Sequence, residues 1–178
     1  MARRPDFVST IRELSLRRDH IPGYGVKPSY VLTRYTFLRA LGFVYAIAFL
    51  GLALQLRPLL GRDGLLPVYL FLERVESTIG NSWSAYLQIP TLLWINSSDG
   101  FMVALAWIGL LLSILLLCGH ANAVQMFALW VLYSSFVHTG QLFYSYGWET
   151  LLLETGFLAI FLCPPVRGGW RLENRTSD

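Results

Sequence analysis

The stretch GWETLLLETGFLAIFLCPP, Gly147 to Pro165, sets two carboxylates, Glu149 and Glu154, in an otherwise apolar run that two prolines close. They could be a catalytic acid/base pair, a membrane-embedded structural site, or the solvated edge of an ordinary core helix. Spacing argues against the pair. Five residues of helix is about 140° of rotation, and paired-carboxylate chemistry needs a shared face. Glu149 falls within one turn of the helix start, where an acid at the interface suits the positive end of the helix dipole. Glu154 lies one to two turns deeper, between Leu151–Leu153 and Phe157. An ionised side chain there is costly unless paired, so Glu154 is expected to face a bundle interior. His138 and the hydroxyls of Tyr133, Ser134 and Ser135 are its first candidate partners. A neutral, hydrogen-bonded structural carboxyl is the simplest reading, and a ligand, ion or proton site is the alternative.

No other residues combine into a reactive set. His20, His120 and His138 fall in separate segments with no HExxH-like spacing, so no metal is expected. Cys118 and Cys163 each end an apolar run. Their spacing matches neither a zinc nor a CxxC pattern, which leaves interfacial thiols, with palmitoylation as the alternative. There is no glycine-rich phosphate loop and no Ser/His/Asp signature. The expectation is therefore a non-enzyme with no catalytic residue and no cofactor.

The elements that carry these residues follow from where charge is missing. The chain has 178 residues, 54% hydrophobic and only 14% charged, well under the usual quarter for soluble domains. Between Asp99 and Glu149 there is no Asp, Glu, Lys or Arg, enough for two membrane crossings joined by a tight turn. The sequence predicts an all-α polytopic membrane protein of about four transmembrane helices plus an interfacial amphipathic helix. The first crossing is Thr36 to Leu56, with Arg39 able to snorkel to the headgroups. Arg57–Pro67 is glycine- and proline-rich and reads as a turn. Val68–Gly80 has helical apolar spacing with Glu73, Arg74 and Glu76, and reads as a helix lying on the interface. Asn81–Gly100 reads as an irregular loop whose Trp83, Tyr86 and Trp94 suit a headgroup belt. Phe101–Gly119 and Ala123–Gly140 are the next crossings, either side of HANA. Gln141–Trp148 is an aromatic hairpin, and Trp148 to about Cys163 is the fourth crossing, stopped by Pro164 and Pro165.

Arginine placement orients this arrangement. Seven of the fourteen Lys and Arg precede Phe37, and Arg167, Arg171 and Arg175 sit in the tail. By the positive-inside rule both termini are cytosolic. The organisation is a basic cytosolic segment 1–35, whose run Phe7–Arg18 reads as a short amphipathic helix on the membrane surface, then a four-helix transmembrane unit 36–165 with lumenal loop 57–99, and a cytosolic tail 166–178. Asn96, in the sequon NSS, then faces the glycosylatable side, whereas Asn174 does not. The sequence pI near 9.0 comes from membrane-flanking arginines, so membrane lipid rather than nucleic acid is the expected partner.

Three segments together carry a resemblance: Tyr30–Pro67, Ser82–Ile95 and above all GQLFYSYGWETLLLETGFLAIFLCP, Gly140–Pro164. They resemble, in order, the lipase maturation factor family, multi-pass proteins of the endoplasmic reticulum membrane whose animal members are needed for homodimeric lipases to fold and be secreted active. The resemblance implies secreted lipases or other membrane proteins as partners, and singles out Gly140, Gln141, Trp148, Glu149, Glu154 and Gly156, with His138 beside them, as candidate functional or structural positions. Family members continue with further crossings and a β-rich lumenal domain, so the resemblance implies an amino-terminal membrane unit. Two alternatives are a small four-helix membrane redox enzyme or subunit, DoxX-like or related to vitamin-K-dependent carboxylases, and a subunit that only packs a partner.

Overall fold

A computed structural model of the chain describes residues 31–80 and 82–163. Among the described residues every regular element is helical. The helices are α1 (Val31–Leu60), α2 (Val68–Ile79), α3 (Ser82–Gln88), α4 (Asp99–Leu117), α5 (Ala123–Thr139) and α6 (Gly147–Leu162), with single 3-10 turns at Leu92–Trp94 and Gln141–Tyr144. All the packing described below belongs to the compact unit that begins at Arg34. The amphipathic run Phe7–Arg18, His20, Asn174 and the polar tail lie outside the described residues.

Four long helices run alternately up and down. Gly42 meets Leu116 and Leu117, and Gly109 meets Phe49, so α1 and α4 are antiparallel. The Arg62 amide donates to Asp99 Oδ1 at 3.0 Å where the far ends of this pair meet. Between α4 and α5 the Gln125 amide donates to the Leu112 carbonyl at 2.8 Å. Trp130 Nε1 donates to the Leu153 carbonyl at 3.1 Å, joining α5 to α6. At the centre, Tyr45, Phe49 and Tyr133 form a cluster of stacked and edge-on rings with centroids 5.5–6.2 Å apart.

The apolar residues point outward. α1 and α4 are long and apolar enough to cross a membrane, yet the protein buries only 33% and 28% of their most apolar windows. Phe43, Ile47, Leu50 and Leu54 on α1, with Trp107, Ile108, Leu111 and Ile114 on α4, face away from the protein. A helix this apolar in a water-soluble protein is buried all round, and a continuous exposed apolar surface marks contact with lipid or a partner. Serines, a threonine and a glutamine are instead buried between helices, where each can bond a neighbouring backbone carbonyl. The protein is a membrane protein. α5 and α6 have 17 and 16 residues, a little under the roughly 20 of a full crossing.

Two segments differ from the sequence reading. α1 continues through Arg57 and Pro58 to Leu60, and the turn begins only at Gly61. The last carbonyls of the helix are taken up by the turn itself: Leu65 N–H donates to Pro58 O at 3.1 Å and Leu66 N–H to Leu59 O at 2.9 Å. These bonds satisfy groups that a helix end otherwise leaves to water. The expected irregular loop at Asn81–Gly100 contains α3 and a 3-10 turn. Its order comes from contacts distant in sequence: Thr91 Oγ1 donates to the Ser135 carbonyl at 3.1 Å, and the Leu92 amide donates to Ser135 Oγ at 3.1 Å. α2 matches the amphipathic expectation, with Val68 and Leu72 buried, Glu73, Arg74 and Glu76 exposed, and Gly80 closing it in the left-handed region at φ 72°.

Candidate functional site

The buried stripe of α6 is Glu149, Leu152, Gly156 and Ala159. Spacings of three, four and three keep these residues on one side of a helix. Small residues at Gly156 and Ala159 let α6 approach its neighbours closely, and that approach fixes the rotation of the helix about its axis. Glu149 shares the stripe with Gly156, seven residues on. Glu154 lies five residues from Glu149, about 140° away, and is exposed on the outer face.

The two glutamates therefore exchange the places expected from depth alone. Glu149 is 2% exposed, and its Oε2 has no hydrogen-bond partner among the described residues. Glu154, expected inside, is outside. His138, its first candidate partner, is also exposed, and its Nδ1 bonds within its own helix, 2.7 Å from Ser134 O and 3.1 Å from Ser134 Oγ. Ser135 is engaged by Thr91 and Leu92. Tyr133 Oη is buried without a hydrogen-bond partner among the described residues. The physical reason is that axial rotation, set by the small-residue stripe, outweighs depth in choosing which carboxyl is enclosed.

A cavity of about 380 Å³ opens onto Glu149. One wall is α1, through Ile47, Ala48, Gly51, Leu52, Gln55 and Leu59. The other comes from the turn into α6, through Phe143, Tyr144, Tyr146 and Trp148. Gln55 is the one amide between Ala40 and Leu56, and sequence reasoning passed over it, although a lone polar residue in an apolar helix is itself a signal. Burial, and then the nearby Glu149 charge, push the Tyr144 phenol well above its ordinary range, so it stays protonated.

The turn that carries these aromatics is held in an uncommon backbone conformation. Gln141 has φ 49°, which for a residue other than glycine costs about 1–2 kcal/mol. Its side-chain amide reaches the Leu66 carbonyl at 3.4 Å, linking this turn to the one after α1. A Cβ on Gly140 would strike the Tyr144 ring, so glycine is required there for steric reasons. Trp148 is 51% exposed at the mouth of the cavity, as suits an interfacial indole. Asn96 is exposed, its Oδ1 accepting from the Ser98 amide at 2.8 Å.

A second cavity, of about 290 Å³, is lined by Tyr86, Pro90, Trp130, Val131, Ser134 and Ser135 among others. Its Ser135 hydroxyl donates to the Val131 carbonyl and its Ser134 hydroxyl bonds His138 Nδ1, and it holds no buried unpaired atom among the described residues. At the opposite end of α1, the Arg39 guanidinium lies 4.2 Å from the Tyr35 ring and donates to the Cys118 carbonyl at 3.3 Å, a cation at the negative end of α4.

Residues 32–177 match the family model described as the lipase maturation factor transmembrane domain. Lipase maturation factor 1 of Bos taurus is 49% identical over 142 residues, which is 76% of this chain and 25% of that relative. The Homo sapiens protein of the same name is 44% identical over 142 residues, with the same coverage. Lipase maturation factor 2 of Xenopus laevis is 35% identical over 147 residues, 79% of this chain and 20% of that protein. The chain thus spans about a quarter or less of the length of these curated relatives. No solved structure matches it. With an inside-out helical unit that coincides with the matched transmembrane domain, the chain belongs to the lipase maturation factor family.

Proposed function

We propose that this chain is a multi-pass membrane factor of the endoplasmic reticulum that assists the folding and assembly of secreted lipases without chemistry of its own. The observation that carries the reading is the match along 32–177 to a transmembrane domain named for lipase maturation, with 49% identity to a protein of that name. The described helices support a scaffold role: interhelical bonds tie α4, α5 and α6 together, while the outer faces stay apolar and available.

In this reading α1, α4, α5 and α6 all cross the bilayer, with α5 and α6 using flanking residues or local thinning to meet its thickness. Both termini are cytosolic, as the arginine distribution favours. The segment 57–99 is lumenal, and Asn96 is its glycosylation acceptor.

The test is co-expression with a secreted homodimeric lipase in cells that lack an endogenous factor. The lipase's secreted specific activity should rise several-fold over an empty-vector control. Unchanged activity at equal lipase protein would leave a membrane scaffold with no part in maturation.

A further inference from the structure

We propose that the trench between α1 and the start of α6 binds a phospholipid with a primary-ammonium headgroup, its nitrogen at Glu149 and one acyl chain along α1. Three observations converge there. Glu149 lines the trench, is 2% exposed, and its Oε2 is enclosed without a hydrogen-bond partner among the described residues. An ionised carboxyl is costly there, and a positively charged donor beside it offsets that cost. The groups around it are Phe143, Tyr144, Tyr146 and Trp148, whose ring faces attract cations and which suit headgroup depth.

The trench does not end at the carboxylate. It continues along α1 from Leu59 and Gln55 past Leu52, Gly51 and Ala48 to Ile47, about 18 Å of helix at 1.5 Å per residue. That is close to one leaflet's share of a hydrocarbon core about 30 Å thick. The lining joins a few polar groups, Glu149, Gln55 and the tyrosines, to a longer apolar length of α1, the combination that a single lipid presents. A lysine side chain from a partner would satisfy the carboxylate but would leave the apolar length unfilled. A quaternary ammonium would meet the rings but has no N–H for the unpaired oxygen, so the primary amine is the better match. This inference does not depend on the lipase reading.

The experiment uses the full chain, delipidated in detergent and mixed with dioleoyl phosphatidylethanolamine, phosphatidylcholine or phosphatidylglycerol. Retained lipid is counted by native mass spectrometry. Phosphatidylethanolamine should bind about tenfold more tightly than either of the others, the scale of one charge-assisted hydrogen bond. Glu149→Gln should erase that preference, and Glu73→Gln on the exposed face of α2 should keep it. Gly51 lines the trench and a Cβ there meets nothing within 4 Å, so Gly51→Leu places side-chain bulk at the trench and should lower phosphatidylethanolamine retention with Glu149 intact. Circular dichroism checks that each variant is folded.

Equal binding of phosphatidylglycerol, wild-type preference in folded Glu149→Gln, or wild-type retention in Gly51→Leu would each overturn the proposal. So would complete displacement of the lipid by millimolar n-butylamine, which would assign the site to a soluble or protein-borne amine.

Discussion

Tyr45 Oη donates to the Leu152 carbonyl at 3.3 Å, and the same oxygen lies where a Cβ on Gly156 would have to stand. One contact thus binds α1 to α6 and makes glycine obligatory at Gly156. Gly156→Ala should destabilise the unit by about 1–3 kcal/mol, the usual range for forcing atoms into a packed core. Tyr45→Phe should cost about 1 kcal/mol for the hydrogen bond, yet it removes the atom that clashes. The double variant should therefore be more stable than the sum of the two losses, by at least about 0.5 kcal/mol. Thermal unfolding of all four proteins in one detergent closes the cycle, and strict additivity would show that the two residues do not meet.

Gly109 plays the same part between α1 and α4. A Cβ there would enter the Phe49 ring, and Phe49 is itself fully buried between Tyr45 and Tyr133. Gly109→Ala should cost about 1–3 kcal/mol, whereas Gly100→Ala, where an added Cβ meets nothing within 4 Å, should be nearly neutral. Equal unfolding temperatures for the two variants would contradict this packing.

Glu149 and Glu154 should separate in the absence of lipid. Removing a buried carboxyl whose Oε2 lacks a hydrogen-bond partner among the described residues relieves its desolvation, so Glu149→Leu in delipidated detergent should leave stability unchanged or raise it by about 1–3 kcal/mol. A functional group maintained at a cost to stability behaves in this way. Glu154→Leu, on the outer face, should be tolerated in the same measurement. A sharp loss of stability in Glu149→Leu would mean that its carboxyl is satisfied within the fold.

Ser135 is the anchor for the segment between α3 and α4. Its Oγ accepts from the Leu92 amide at 3.1 Å while donating to Val131 O at 2.8 Å, and its carbonyl accepts from Thr91 and Thr139. Ser135→Ala strands the Leu92 amide, at a cost of about 1–3 kcal/mol. The effect should be local as well as global. Limited proteolysis should cut between Gln88 and Asp99 faster in the variant, and an unchanged cleavage rate there would count against the anchoring role.

What the sequence determined by itself were the properties that repeat along the chain. Apolar runs interrupted near Arg57–Pro67, HANA and Gln141–Trp148 separate the long helices, because helix periodicity and turn chemistry are short-range, although α1 runs on to Leu60. Absence of charge from 100 to 148 made this a membrane protein, because unpaired charge in lipid is costly wherever the helices happen to pack. Segments such as GWETLLLETGFLAIFLCP were enough to indicate the family. Even the buried stripe of α6 was partly legible, since Gly156 and Ala159 are small residues three apart and Glu149 lies seven before Gly156.

Tertiary structure alone decided which carboxyl is enclosed. Depth along α6 favoured Glu154, but the rotation of that helix is set by Tyr45 against Gly156 and by Trp130 on the Leu153 carbonyl. Both are contacts with residues more than twenty positions away. The same holds for the ordered segment around Thr91, which reads as loop because its partner, Ser135, is 44 residues distant. Likewise the trench at Glu149 joins Gln55 on α1 to aromatics near 145. Local pattern fixes a helix's faces only relative to one another, and the neighbour that accepts a face turns it toward the core or the lipid.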